Sequence, residues 1–430
     1  MTSPLLRAFV LSVVSSVAAC SGTNAETPGY GGAGDTTPAP GTDPSGNGTG
    51  TDAGSPPVTA GDAGLETGPR RLTIQGSELF DRGAKVRLRG ANLEGIDDAG
   101  ATEMADVLHM NFARLRISWE APNRDDADPT GLTADYRASI DAWLEALAKK
   151  RIWTLLELRS DDATTNGADL YTTTSPTFAA LAKTWTYLAT RTKDRDFIAG
   201  YGLLAEPSPE RTQKDYATAL TTFQRTLMDR ITSATGDTRT PFFVGAAYNY
   251  DALELWNDTY ATGLAPYAGR LVHEVNFLVP KPWIDTGLSV DGTKLSFPQT
   301  STASYDDLLT VAPGEKFAMP ADGPRVYNKR TENAALWPLQ LTSGFPTWYF
   351  GKALAFRTRH PAPMVADQFG ASTNAGGQLA YEKSLVDFFE ANGFGWCRWG
   401  YNAGSKQRRM VGNEAVKAFY ADLGKAYPAP

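Results

Sequence analysis

A glutamate followed by proline closes an apolar run in this chain: Phe197 to Leu204 leads through Ala205 into Glu206-Pro207. A continuous apolar run of this length reads as a strand buried on both faces. Pro207 has no N–H to give a sheet ladder, so the strand must stop there. A second run of the same kind, Ala362 to Gly370, carries Asp367-Gln368 near its end. In parallel α/β folds, chemistry is done at the C-terminal ends of the strands. A pair of carboxyl groups facing each other across such a sheet suits cleavage of a glycosidic bond. With retention, that reaction needs one group as acid/base and one as nucleophile, about 5–5.5 Å apart.

The elements that must position these residues alternate. Strand-like runs recur at 89–93, 113–119, 152–158, 198–204, 241–246, 270–277, 363–369 and 393–399, each followed by a helical pattern. Ile140, Trp143, Leu144 and Leu147 fall on one face of a helix, as do Tyr216, Leu220, Phe223, Leu227 and Ile231. Eight such units predict an α/β fold, a (β/α)8 barrel. Leu72 to Ile74 and Val86 to Leu88, around the turn Asp81-Arg82-Gly83, predict an N-terminal β-hairpin capping the barrel floor. Pro280 to about Asn333 is a Pro-, Gly- and Ser/Thr-rich insertion after the sixth strand. By topology it lies on the catalytic face and walls the site.

Ahead of the barrel the composition changes twice. Residues 1–19 read as an export signal, with Arg7 before an apolar core too short to span a bilayer. Val17-Ala18-Ala19-Cys20 resembles a bacterial lipobox, which implies cleavage before Cys20 and lipidation of that cysteine. No acidic retention signal follows at Ser21, so the expected address is the bacterial outer membrane or the cell surface. Residues 20–69 are rich in Gly, Thr, Pro and Ala and cannot offset their ordering entropy, so they form a tether spanning roughly 40 Å as a flexible coil. Residues 70–430 form the barrel domain.

With 42% hydrophobic and 11% aromatic residues in the 430-residue chain, the domain can bury a sizeable core. A net charge of −7 offers no basic patch for nucleic acid. Only Cys397 follows Cys20, which leaves no pair for a disulfide in the lipidated chain; Cys397 reads as a small buried hydrophobe in a strand. His109, His273 and His360 have no metal-site spacing, and no phosphate- or dinucleotide-binding glycine motif occurs, so neither metal nor cofactor is expected.

The motifs taken in order resemble glycoside hydrolase family 5, the cellulase and endoglycosylceramidase group, from about Leu72 to Tyr420. Arg89-Gly90-Ala91-Asn92-Leu93 is similar to the family's first strand, and Asn111-Phe112-Ala113-Arg114 to its second. Glu206-Pro207 is similar to the end of its acid/base motif, and Phe369-Gly370 to the end of its nucleophile motif. Trp399, after Trp396, is similar to its eighth-strand sugar platform. The resemblance implies Glu206 as acid/base, Arg114 supporting the catalytic carboxylates and Trp399 under the sugar.

The departures from the family pattern are as informative. The nucleophile position holds Gln368, the residue before the acid/base is Ala205, the third-strand histidine is replaced by Arg159, and the sixth-strand H-x-Y falls on Asn276 and Leu278. A neutral amide is a poor nucleophile at carbon and cannot stabilise an oxocarbenium ion as a carboxylate does. Asp367 is adjacent, but strand alternation turns it to the opposite face unless a bulge re-aims it. Arg159 is expected to pair with Glu157, two residues back on the same face. Trp119, Tyr248, Trp283 and Trp399 lie at strand ends, where flat aromatic faces stack on sugar rings or pack under loops. The candidate substrate-binding set is Arg114, Arg159, Tyr248, Asn276, Trp283 and Trp399.

Three functions stay open. One is a tethered, monomeric protein that engages β-linked oligo- or polysaccharide, or a glycolipid, with weak or no hydrolysis. Another is an active glycosidase that pairs Glu206 with a second carboxylate, Asp367, Asp161 or Glu274. The third is a structural lipoprotein that uses the barrel face for protein contacts.

Overall fold

A computed structural model describes residues 68–160, 167–209, 212–279, 281–287, 294, 296–299 and 341–428. The leader, Cys20, nearly all of the tether, Asp161 and most of the 280–333 insertion lie outside the described residues. No described helix is long and apolar enough to cross a membrane.

The eight apolar runs become eight parallel strands closed into a barrel: β4 (Arg89–Leu93), β5 (Phe112–Ser118), β6 (Trp153–Arg159), β7 (Ile198–Gly202), β8 (Phe242–Gly245), β9 (Leu271–Phe277), β10 (Met364–Phe369) and β11 (Gly395–Arg398), with β11 returning to pair β4. The strands are buried on both faces because helices cover the outside and side chains fill the inside. β7 ends at Gly202, short of the expected Leu204, but the chain runs on beside β6, with the Ala205 N–H bonded to the Leu158 carbonyl at 2.8 Å.

The predicted helices form where the apolar stripe demands. Helix Ala134–Lys149 buries Ile140, Leu144 and Leu147, and helix Tyr216–Thr235 buries Leu220, Phe223, Leu227 and Ile231. Helix Pro176–Thr192 starts on a Ser175 cap that accepts the Phe178 N–H at 3.0 Å, with proline in the first turn where no N–H is needed.

The N-terminal cap is larger than a hairpin. It is a three-stranded antiparallel sheet of β1 (Leu72–Gln75), β2 (Glu78–Asp81) and β3 (Ala84–Val86). The turn at Arg82-Gly83 is where expected, and Gly76, in the left-handed region, allows a second turn one strand earlier. Leu72, Leu79 and Val86 pack with Phe112, Trp153, Phe243 and Cys397 to close the barrel floor.

The barrel interior is therefore stratified. The floor layer is apolar, with Phe112 and Phe243 stacked at 6.5 Å between centroids. Above it lies a charged layer, and above that the pocket at the C-terminal strand ends. Phe112→Ala should destabilise the domain by about 3–5 kcal/mol, as for other fully buried aromatic truncations, measured by chemical denaturation; a change below about 1 kcal/mol would show that the floor layer is not what holds the barrel closed.

Candidate active-site pocket

Strand phase builds the charged layer. Arg114 on β5, Glu157 on β6, Glu274 on β9 and Asp367 on β10 all point inward and are at most 1% exposed. Arg114 Nη2 lies 2.5 Å from Glu157 and 3.0 Å from Asp367, and its Nε lies 3.8 Å from Glu274. These are charge contacts; the aligned hydrogen bond of the guanidinium runs from Nη1 to Asn92 Oδ1 at 2.8 Å. Burial opposes the charge on Arg114, but the three carboxylates outweigh it and hold the guanidinium firmly protonated. Burial raises Glu274 and Asp367 well above the ordinary carboxyl range, each reinforced by Glu157.

Asp367 reaches this layer through a bulge. The pairing of β10 with β9 shifts register between Ala366 and Gln368, and its pairing with β11 shifts between Ala366 and Phe369. The bulge re-aims the aspartate that simple alternation would place outside the barrel. It leaves both Asp367 and Gln368 on the inside, at different heights.

Glu157, Glu274 and Asp367 are, among the described residues, the one group whose ligand atoms lie close enough together, within 4.8 Å, to hold a metal ion. The Arg114 guanidinium already occupies that charge. A cation there would have to displace it.

One repeat further along the strands, about 6.6–6.8 Å, lies a cavity of about 310 Å³, within the range of small-ligand sites. Glu206, Gln368, Arg159, Tyr248, Asn276 and Trp399 all line it, so six of the sequence-derived site residues meet in one place. A larger cavity of about 690 Å³ opens at the barrel floor, at the opposite end from these residues.

Three expectations are corrected. Arg114 does not line the pocket; it sits one layer below, engaged by carboxylates. Trp283 is fully buried against Tyr381, with centroids 4.8 Å apart, and packs the wall rather than the cavity. Of the two roles open to Trp119, packing holds: it is fully buried and donates its indole N–H to Thr184 at 3.1 Å. Arg159 pairs with Glu94 at 3.2 Å, since Glu157 is taken by Arg114.

Arg116, Asn249, Asp251, Tyr349 and Arg408 also line the cavity and were not singled out from the sequence. Parity could have found Arg116: it shares a strand face with Arg114, two residues nearer the C-terminal end. Asp251 accepts from the Tyr349 hydroxyl at 2.7 Å and from the Leu253 N–H at 2.9 Å. Arg408 is held to the pocket by an ion pair with Asp285.

The pocket walls are tightly specified. Glu206 adopts the left-handed region (φ 52°) although a residue before proline prefers extended backbone. Tyr248, Asn249 and Tyr250 follow one another with φ of 56°, 60° and 63°, a left-handed turn of three non-glycine residues. It aims Tyr248 and Asn249 at the cavity and sends Tyr250 beneath it, where the hydroxyl reaches the Leu204 carbonyl and, at 3.2 Å, Glu157. Gly245 makes this possible, because a Cβ there would lie 1.9 Å from the Tyr250 ring. Asn276 donates to the Asn249 carbonyl at 2.6 Å, and Ser208 donates to the Asn249 side chain at 2.7 Å. Arg398, ion-paired with Glu382 at 2.9 Å, donates to the Trp399 carbonyl at 3.1 Å and fixes the backbone that carries the indole.

Residues 81–269 match the family model for cellulase of glycosyl hydrolase family 5. The match includes Glu206 and ends before Asn276 and Gln368. A solved β-glucanase from Saccharophagus degradans, in complex with cellotetraose, superposes with a TM-score of 0.53 at 15% identity, covering 84% of this chain and 94% of its own. An endoglucanase from Thermotoga maritima gives 0.54 at 12%, covering 78% and 96%. An endogalactoceramidase structure gives 0.53 at 16%, covering 82% and 78%. At such identities the likeness is one of fold. No curated protein matches the sequence.

The charged layer makes a pH signature. Glu274 and Asp367 bind protons more tightly in the folded barrel than in the unfolded chain. The stability this lends is present below their ordinary values near 4.5 and 3.8 and is lost as pH rises toward the raised ones. Glu274→Gln, which removes one such group, should therefore gain stability relative to wild type as pH is raised from about 5 to about 8, read as the difference in melting temperature. A pH-independent difference would mean that Glu274 is ionised throughout.

Proposed function

We propose, on the match of residues 81–269 to the cellulase model of glycosyl hydrolase family 5, that this chain is a tethered cell-envelope protein that engages β-linked glycans in the pocket above Arg114, with weak or no hydrolysis. The observation that carries this reading is the pairing of Glu206 with Gln368 in one cavity, beside Trp399. Glu206 stands at the acid/base position and Gln368 at the nucleophile position. Trp399 offers an aromatic surface to a sugar ring.

The chemistry of retention requires a carboxylate where Gln368 stands. The amide cannot ionise, and its Nε2, buried without a hydrogen-bond partner, is a donor rather than an attacking atom. Asp367, Glu274 and Glu157 lie below, bound to Arg114, and none of them lines the cavity. Asp251 does line it and favours a second reading, an active glycosidase that pairs Glu206 with Asp251; its acceptor bonds to Tyr349 and Leu253 tie it to a structural role.

The test compares wild type and Gln368→Glu on activated aryl β-glycosides. Wild type should turn over slowly or not at all. Gln368→Glu keeps the side-chain volume, restores the charge, and should raise the rate on the order of 10²-fold, short of the 10⁴–10⁶ that a complete nucleophile contributes in other hydrolases. Efficient wild-type hydrolysis that Glu206→Gln abolishes would establish the second reading instead.

The tether belongs to the same proposal. Cys20 in the lipobox-like Val17-Ala18-Ala19-Cys20 anchors the domain at the outer membrane or the cell surface. Cys20→Ala should move the protein from the membrane to the soluble fraction in a fractionation experiment. Unchanged membrane association would remove the lipid anchor from the reading.

A further inference from the structure

We infer that the pocket is built for an acidic sugar, one carrying a carboxylate or a sulfate, and that Arg116 is the residue that selects it. The inference rests on the glycan-binding reading above and narrows its ligand class.

Arg116 is 4% exposed, lines the cavity, and leaves its Nε and Nη1 without hydrogen-bond partners. Its ion contact is Glu94 at 3.6 Å, and Glu94 is shared with Arg159 at 3.2 Å. Both guanidiniums reach the same half-exposed carboxylate, and for Arg116 that contact is longer than a hydrogen bond. A buried guanidinium with open donors is costly unless an acceptor reaches it, and a planar oxyanion meets its fork in two parallel bonds.

The other open atoms around the cavity agree. Among the buried side-chain atoms that line it, Gln368 Nε2 is a third donor without a partner and Asn276 Oδ1 the one unpartnered acceptor; the partly exposed Glu206 carboxylate lines the same cavity and is the negative charge a ligand oxyanion at Arg116 must avoid. At the buried wall the open donors, on one guanidinium and one amide, outnumber the open acceptor, which suits an oxyanion seated at Arg116. A neutral hydroxyl-bearing sugar would bring as many donors as acceptors.

Arg116 also changes what Trp399 can do. Its guanidinium carbon lies 4.3 Å from the centre of the indole ring, so one face of that ring is covered by a cation. A neutral glucan ring cannot stack on that face. An oxyanion on the sugar can instead approach the guanidinium edge while the ring lies beside the indole.

Calorimetry on the full-length protein with three probes of one backbone tests this: cellotetraose, the corresponding β-1,4-linked tetraglucuronate, and sulfated cellotetraose. At least one acidic probe should bind about tenfold or more tighter than cellotetraose, the size of a charge-assisted hydrogen bond gained. Arg116→Gln should abolish that preference, with an unchanged melting temperature as the check on folding, and Arg116→Lys should keep only part of it. The acidic probe that binds tighter identifies carboxylate or sulfate as the group. Cellotetraose binding as tightly as either acidic probe to wild type, a comparison that needs no variant, would overturn the inference and leave the glycan-binding reading standing. A preference that survives in Arg116→Gln would overturn the role of Arg116. No binding of any probe would overturn both readings.

Discussion

The Arg114 guanidinium, held among three carboxylates inside the barrel, is the constraint on which the remaining structure depends. An ionised carboxylate transferred alone into a protein interior carries a penalty of several kcal/mol, and removing the partner of a buried ion pair costs about 3–5 kcal/mol. Here one cation serves Glu157, Glu274 and Asp367 together. Four strands are thereby fixed in height and rotation relative to one another, and the bulge in β10 is explained: it brings Asp367 to the guanidinium. The same contact decides the fate of the acids nearest the pocket. They are bound downward, so the acids left to the cavity above are Glu206 and Asp251, beside Gln368 and the arginines.

Much of this was legible in the sequence. The eight strands and their helices followed from apolar runs and helical spacing, because a barrel buried on both faces leaves a strong pattern. Strand ends together with the family resemblance pointed to Glu206, Gln368, Tyr248, Asn276, Arg159 and Trp399, which share one pocket, and to Arg114 and Trp283, which do not line it. What failed did so for local reasons. Alternation assigns Asp367 to the outside, and no residue signals the register shift that overrides it. Trp119 and Trp283 lie at strand ends like Trp399, yet helix Pro176–Thr192 supplies Thr184 to the first, and Tyr381 packs against the second. Arg159 has Glu157 as its neighbour in sequence, but Glu94 beyond β4 becomes its partner once Arg114 has claimed Glu157. Competition for one carboxylate is a property of the folded barrel.

The barrel interior is divided by height. Phe112, Phe243 and the inward apolar side chains of the small N-terminal sheet, Leu72, Leu79 and Val86, close the floor, and the charged layer lies above them. The pocket is formed by residues at and beyond the strand ends. Arg159, Asn276, Leu278 and Gln368 all line that third layer, and none belongs to the apolar floor or the charged layer below.

The left-handed turn at Tyr248, Asn249 and Tyr250 carries a further meaning. Each residue held in that region costs on the order of 1–2 kcal/mol, and the cost is met by placing Tyr250 between the cavity and the charged layer, with Gly245 making room for its ring. The Tyr250 ring is buried, and its hydroxyl reaches Glu157 and the Leu204 carbonyl, so one side chain joins the turn that shapes the pocket to the acids beneath it. A change in that turn is felt in the charged layer as well as in the pocket.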